Sequence, residues 1–149
     1  GIAARERHAR AMEMLTLVGL ENFADAYPRT LSGGMKMRVA IARALVTKPP
    51  VLLLDEPFAA LDEITRQQLN DDLLDICSKA KLTVLFVTHS AAEAVYLSSR
   101  VLMMRARPGT ILRETRINAP VPRADGFRHS PQFAAYCGEV SAALREAIA

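Results

Sequence analysis

Apolar residues recur along this chain in two rhythms, one helical and one alternating. Over about 3–18, Met12, Leu15 and Val18 return at helical spacing with Met14 alongside, and Gly19 supplies a C-terminal stop. Residues 21–27 predict one short helical turn ended by Pro28. Ser32 is placed to cap a helix running through Val39 to Leu45. Val51-Leu52-Leu53-Leu54, bounded by Pro49-Pro50 and Pro57, predicts a short strand buried on both faces. A helix follows over about 63–80, with Leu69, Leu73, Ile76 and Cys77 on one face. A β-branched strand spans 83–88 and ends at His89, and Ser90 caps a helix over 91–97. Two further strands, 101–104 and 110–117, flank an Arg107-Pro108-Gly109 turn. Residues 118–130 shift to Pro, Arg and polar types, a surface linker, before a last helix from 131 to about 147. Its stripe of Phe133, Tyr136, Cys137, Val140 and Leu144 suits docking on this domain or a partner, because a lipid-facing helix would carry more basic residues. Strands alternating with helices predict an α/β fold with a mainly parallel sheet and an antiparallel pair at its end.

Composition narrows the picture only modestly. At 149 residues the chain is long enough for one domain with a real core, and no window is long enough to cross a bilayer. The first residues are helix-like and charged, unlike a secretory signal. The net charge of +3 comes from 19 basic and 16 acidic residues with interspersed signs, so no nucleic-acid partner is expected. The arginines gathered over 100–128 would favour an anionic surface or, as the simpler reading, form a solvated face. Cys77 and Cys137 have no metal-ligand spacing and read as reduced core residues of an intracellular protein.

Three places carry candidate chemistry. Asp55 and Glu56 stand together where the aliphatic strand ends, the end at which open α/β sheets bind ligands. An aspartate there can hold Mg²⁺, and a glutamate beside it can orient or deprotonate water; the simpler alternative is a turn with capping or solvated acids. Ser32-Gly33-Gly34 opens a helix whose free N–H groups and partial positive charge suit a phosphate; the alternative is an ordinary turn into a buried helix. His89, at the end of the second strand, is either a ligand-facing group or a hydrogen-bonded strand-end histidine.

Taken in order, Leu31-Ser32-Gly33-Gly34-Met35, Val51–Asp55 with Glu56, Ala60-Leu61-Asp62 and His89 closely resemble the ATP-binding cassette (ABC) ATPases. They look like that family's signature, Walker B strand, catalytic glutamate, D-loop and switch histidine, with Met35 where the family usually has Gln. Met35, the Ala106-Arg107-Pro108-Gly109 turn and the Ser130-Pro131-Gln132-Phe133 tail further resemble import ATPases of the nitrate, sulfonate and taurine group. The resemblance implies that Asp55 binds Mg²⁺ through its water shell, that Glu56 is general base and that His89 bonds the γ-phosphate of ATP. It implies that Ser32, Gly33 and Gly34 meet nucleotide held by a second copy, and that Asp62 links the two halves of that homodimer, with helix capping as the alternative. Arg38 and Arg43 are expected in structural salt bridges.

The family also carries a Gly-rich phosphate loop ending Gly-Lys-Ser/Thr. None of Lys36, Lys48, Lys79 and Lys81 follows a glycine, so this sequence does not contain that loop. The resemblance therefore implies an incomplete P-loop NTPase domain. Residues 1–48 would belong to a helical subdomain with the signature, 49–117 to the second part of the ATPase core, and 118–149 to a linker and C-terminal helical tail. The isolated chain is expected neither to bind ATP tightly nor to hydrolyse it. The complete protein is expected to be a Mg²⁺-dependent ATPase on the cytoplasmic face of the cell membrane. There it would work with an integral membrane permease and, indirectly, a periplasmic solute-binding protein. An ABC ATPase of DNA repair or translation, or a non-catalytic fragment, are the competing readings.

Overall fold

The expected helices and strands form nearly where the apolar rhythms place them, in a computed structural model that describes residues 1–124 and 126–148. The chain divides into two compact units, Gly1–Phe86 and Val87 onward.

In the first unit, α1 (Ala4–Leu17) ends at Gly19, whose φ of 69° is the left-handed conformation that glycine adopts without a Cβ clash. Two 3₁₀ turns follow, Glu21–Phe23 and Pro28–Thr30. Pro28 opens the second turn instead of ending a single one, as its fixed φ and missing N–H favour at the first position. Helix α2 (Gly33–Leu45) packs on α1 and α3 and buries Ile41, Ala42 and Leu45. Strand β1 (Val51–Asp55) pairs with β2 (Thr83–Val87), and α3 (Glu63–Ala80) connects them. The Thr83 N–H donates to the Pro50 carbonyl, so the strands start side by side and run the same way. A helix between parallel strands is the expected crossover.

One expectation fails here. Strand β1 is buried on one face only. Leu52 is 4% exposed, whereas Val51 and Leu53 are 46% and 70% exposed, and Leu85 of β2 is 56% exposed. Side chains alternate across a strand, so the aliphatic run supplies two apolar faces; among the described residues only one of them is covered.

In the second unit, α4 (Ala91–Leu97) leads to the antiparallel pair β3 (Arg100–Ala106) and β4 (Gly109–Arg116). The pairing runs from Arg100 opposite Arg116 to Ala106 opposite Gly109, with a register shift between Met103 and Met104. A 3₁₀ turn, Phe127–His129, precedes α5 (Pro131–Ile148), which packs on α4, β3 and β4 and buries Val140 and Ala143. The apolar stripe of the last helix is thus used within its own unit. Cys77 and Cys137 are free and half-buried, and burial pushes the Cys77 thiol up to about 11. Among the described residues no helix is long and apolar enough to cross a membrane.

Candidate functional site

Asp55 ends β1 on the same open face as Val51 and Leu53, and its side chain makes no hydrogen bond or ion pair among the described residues. Glu56 follows with a φ of 45°. Lys48 and Lys81 also have positive φ, but they follow helices, where a left-handed residue commonly terminates the turn. Glu56 follows a strand, and no helix end accounts for its backbone. A non-glycine residue held left-handed costs on the order of 1 kcal/mol and persists only where its surroundings enforce it. Two residues on, Phe58 is 1% exposed, and its ring lies 5.6 Å from that of Phe86 on β2. The Ala59 N–H then closes the turn onto the Glu56 carbonyl. The Glu56 side chain stays exposed.

The start of α2 lies against the turn after Phe58. Ser32 caps the helix by accepting from the Met35 N–H at 3.2 Å. A Cβ placed on Gly33 would meet the Leu61 side chain at 3.4 Å, and one on Gly34 would meet Thr65 at 3.4 Å. Both are ordinary contacts, and neither glycine has positive φ. The chain's own packing and backbone therefore leave room for alanine at both positions.

Asp62 is the cap of α3. Its carboxylate accepts from the Thr65 N–H at 3.0 Å and the Thr65 hydroxyl at 2.6 Å. These bonds, the hydroxyl's first, hold its pKa below the ordinary value. Arg66 donates to the Leu61 carbonyl at 2.9 Å and so fixes the turn just before this cap. Arg38, on α2, pairs with Asp72 of α3. The first unit thus brings the Ser32-Gly33-Gly34 start of α2 beside the segment of Leu61, Asp62 and Thr65, and Asp55, at the end of β1, with Glu56 just after it, leads into the same turn. Phe58 and Arg66 were invisible as positioning residues: a phenylalanine in a loop and an arginine on a helix have no spacing that marks them.

His89 belongs to the second unit and is exposed. Its neighbours are tied to α4. The Thr88 hydroxyl donates to Glu93 at 2.6 Å, the Ser90 N–H donates to the Thr88 oxygen at 3.0 Å, and the Glu93 N–H donates to the Ser90 hydroxyl oxygen at 3.4 Å. Glu93 is 6% exposed. The expected solvated arginine face over 100–128 also needs correction at one residue, because Arg123 is only 9% exposed.

Mg²⁺ keeps several waters and takes one or two carboxylates beside substrate phosphates. An exposed, unpaired Asp55 suits that demand. No group of three or more His, Cys, Asp or Glu side chains that could hold a metal occurs among the described residues, so a fully protein-built cage is not what the first unit offers.

A family model described as ABC transporter matches residues 2–59. The chain is 47% identical to the taurine import ATP-binding protein TauB of Rhizobium johnstonii, over 97% of this chain and 57% of that protein. It is 46% identical to the nitrate import ATP-binding protein NrtD of a Synechocystis strain, over 97% of this chain and 57% of that protein. A dimeric post-hydrolysis state of the ATP-binding cassette MJ0796, bound to ADP and Pi, is 36% identical and aligns with a TM-score of 0.61 over 80% of this chain and 51% of that one. The chain spans about half the length of the curated relatives it matches.

Proposed function

We propose, from the premise that this chain belongs to the ABC transporter ATPase family, that it is part of a cassette whose ATP hydrolysis drives solute import. The observation that carries this reading is Glu56, an exposed carboxylate held in a left-handed backbone directly after the unpaired Asp55. Strain of this kind collects at functional sites. Glu56 serves as general base: it takes a proton from water as the water oxygen bonds to the γ-phosphorus of ATP and the bond to the ADP oxygen breaks. Asp55 would hold Mg²⁺, which would supply charge neutralisation on the phosphate. His89 donates a hydrogen bond to the γ-phosphate.

The α2 terminus serves a second nucleotide. Ser32, Gly33 and Gly34 offer backbone N–H groups to the γ-phosphate of ATP held by another copy of the cassette, so the working unit is a homodimer. Glycine at 33 and 34, where alanine would fit the chain itself, supports an approach from outside. Asp62, exposed beside that terminus, lies where the second copy would dock. Relatives named for taurine and nitrate import support a small anionic or zwitterionic solute of the nitrate, sulfonate or taurine kind. They also support a membrane permease partner, a periplasmic solute-binding protein acting through it, and a place on the cytoplasmic face. The half-length span supports inactivity of the 149 residues by themselves.

The test is Glu56→Gln in a cassette of the relatives' full length. ATP binding should persist while hydrolysis falls by roughly 10²–10⁴, the range of a lost general base. A Gln variant that still turns over ATP removes Glu56 from that role.

A further inference from the structure

The side chain that the reading above leaves unused is Arg123. It is buried at 9% exposure, yet among the described residues none of its hydrogen bonds goes to a carboxylate. All go to backbone carbonyls. Its Nε donates to Tyr96 at 2.8 Å, and its Nη2 donates to Ser98 at 2.6 Å and Val95 at 3.3 Å. Its Nη1 donates to Ala119 at 2.7 Å and Pro120 at 3.1 Å. The guanidinium carbon also sits 5.2 Å from the centre of the Phe127 ring. Burial depresses the guanidinium pKa from its ordinary value, so the fold accepts a desolvation cost to keep this group here.

The first three acceptors explain why. Helix α4 is short, and the last carbonyls of a helix have no partner within it. No glycine follows Leu97 to turn the chain back onto them; Ser98 is extended. Arg123 takes those carbonyls instead, and its positive charge sits at the negative end of the helix dipole. Only a planar fork with five N–H donors reaches so many acceptors at once. The other end of α4 carries the bracket of Ser90, Thr88 and Glu93 that fixes the backbone on both sides of His89. A helix of 7 residues is two turns of rigid backbone between them.

We infer that Arg123 is a positioning residue for His89, acting through α4, so that the segment after β4 is a working part of the site and not a linker. The inference rests on the proposed role of His89 toward the γ-phosphate.

The experiment is a double-mutant cycle in a cassette of the relatives' full length, joined to NMR of the His89 imidazole. Arg123→Gln should lower kcat roughly ten- to hundredfold, as small misplacements near reacting groups do, and leave the KM for ATP unchanged. In a His89→Ala background the same change should have no further effect. Arg123→Lys keeps the charge and some of the donors, so it should retain part of the activity and covers the case in which Arg123→Gln does not fold. The His89 ring resonances should shift in both Arg123 variants. Equal losses of kcat with and without His89, or His89 resonances that do not move, overturn the inference. If His89→Ala leaves hydrolysis intact, the role of His89 is what fails, and the ring resonances still decide whether Arg123 sets its environment.

Discussion

The two units treat their buried groups in opposite ways. The second unit satisfies its buried polar side chains internally: Glu93, Thr115 and Arg123 each find hydrogen bonds inside the unit, although Leu102, Met104 and Ile111 on its strands stay exposed. Tyr96, Phe127 and Phe133 form a ring cluster with centroids 5.4 to 6.5 Å apart. The first unit is left open. Val51, Leu53 and Leu85 face outward, the carbonyl oxygen of the buried Asn70 side chain has no hydrogen-bond partner, and Glu56 is strained beside an unpaired Asp55. Unfilled demands of this kind mark where a molecule expects company; satisfied ones mark where it supplies its own.

Truncating one apolar side chain from each unit breaks the comparison if it is wrong. Phe127→Ala should cost about 3–5 kcal/mol whether measured on this chain or on a cassette of the relatives' full length, because Tyr96, Phe133 and Arg123, which its ring meets, are in its own unit. Leu53→Ala should stay within about 0.5 kcal/mol in this chain, as exposed positions do. In the longer cassette the same change should cost about 2–5 kcal/mol if that sheet face becomes covered. Denaturant unfolding of the four proteins reads both. Equal small effects of Leu53→Ala in both lengths would mean that the open face is simply solvated.

This contrast also explains what the sequence could and could not disclose. Local signals were legible because local physics makes them: Ser32, Asp62 and Ser90 cap the helices that follow them, and the bounds of α3 and α4 match the expected ranges. The acid pair at the end of β1 and the glycine-opened α2 were legible for the same reason. Exposure was not. An aliphatic run such as Val51–Leu54 states that two faces are apolar, and only tertiary context states which is covered. Long-range partners were not legible either. Arg123 lies 27 positions from Tyr96 and has the same letter as its solvated neighbours, and nothing in the local sequence marks Glu56 for a left-handed backbone.

Gly33→Ala sharpens the comparison at smaller scale. The chain has room for the methyl group, and alanine restricts the unfolded chain more than glycine does, so stability should rise by about 0.4–1 kcal/mol. Nucleotide-driven dimerisation and hydrolysis by the longer cassette should fall. A gain in stability with full activity would show that nothing from outside approaches Gly33. A loss of stability would show that the contact with Leu61 is tighter than its 3.4 Å implies.

Asp62 stands on the border between the two behaviours, because it is satisfied as a cap and still exposed beside Gly33. The hydroxyl and N–H of Thr65 hold its carboxyl below the ordinary carboxylate range. A pKa lower in the folded than in the unfolded chain gives stability that is fully present above the unfolded value of about 3.9. That contribution is lost as pH falls from there through the folded value. Asp62→Asn keeps one acceptor for the cap and removes the charge, so the stability curve should flatten in this acid window, the variant already lacking at neutral pH the contribution that the wild type loses only on acidification. If the carboxylate serves only as a cap, dimerisation of the longer cassette at neutral pH will be unaltered by the same substitution. A dimer weakened by more than the loss in neutral-pH stability accounts for would assign the charge to the second copy.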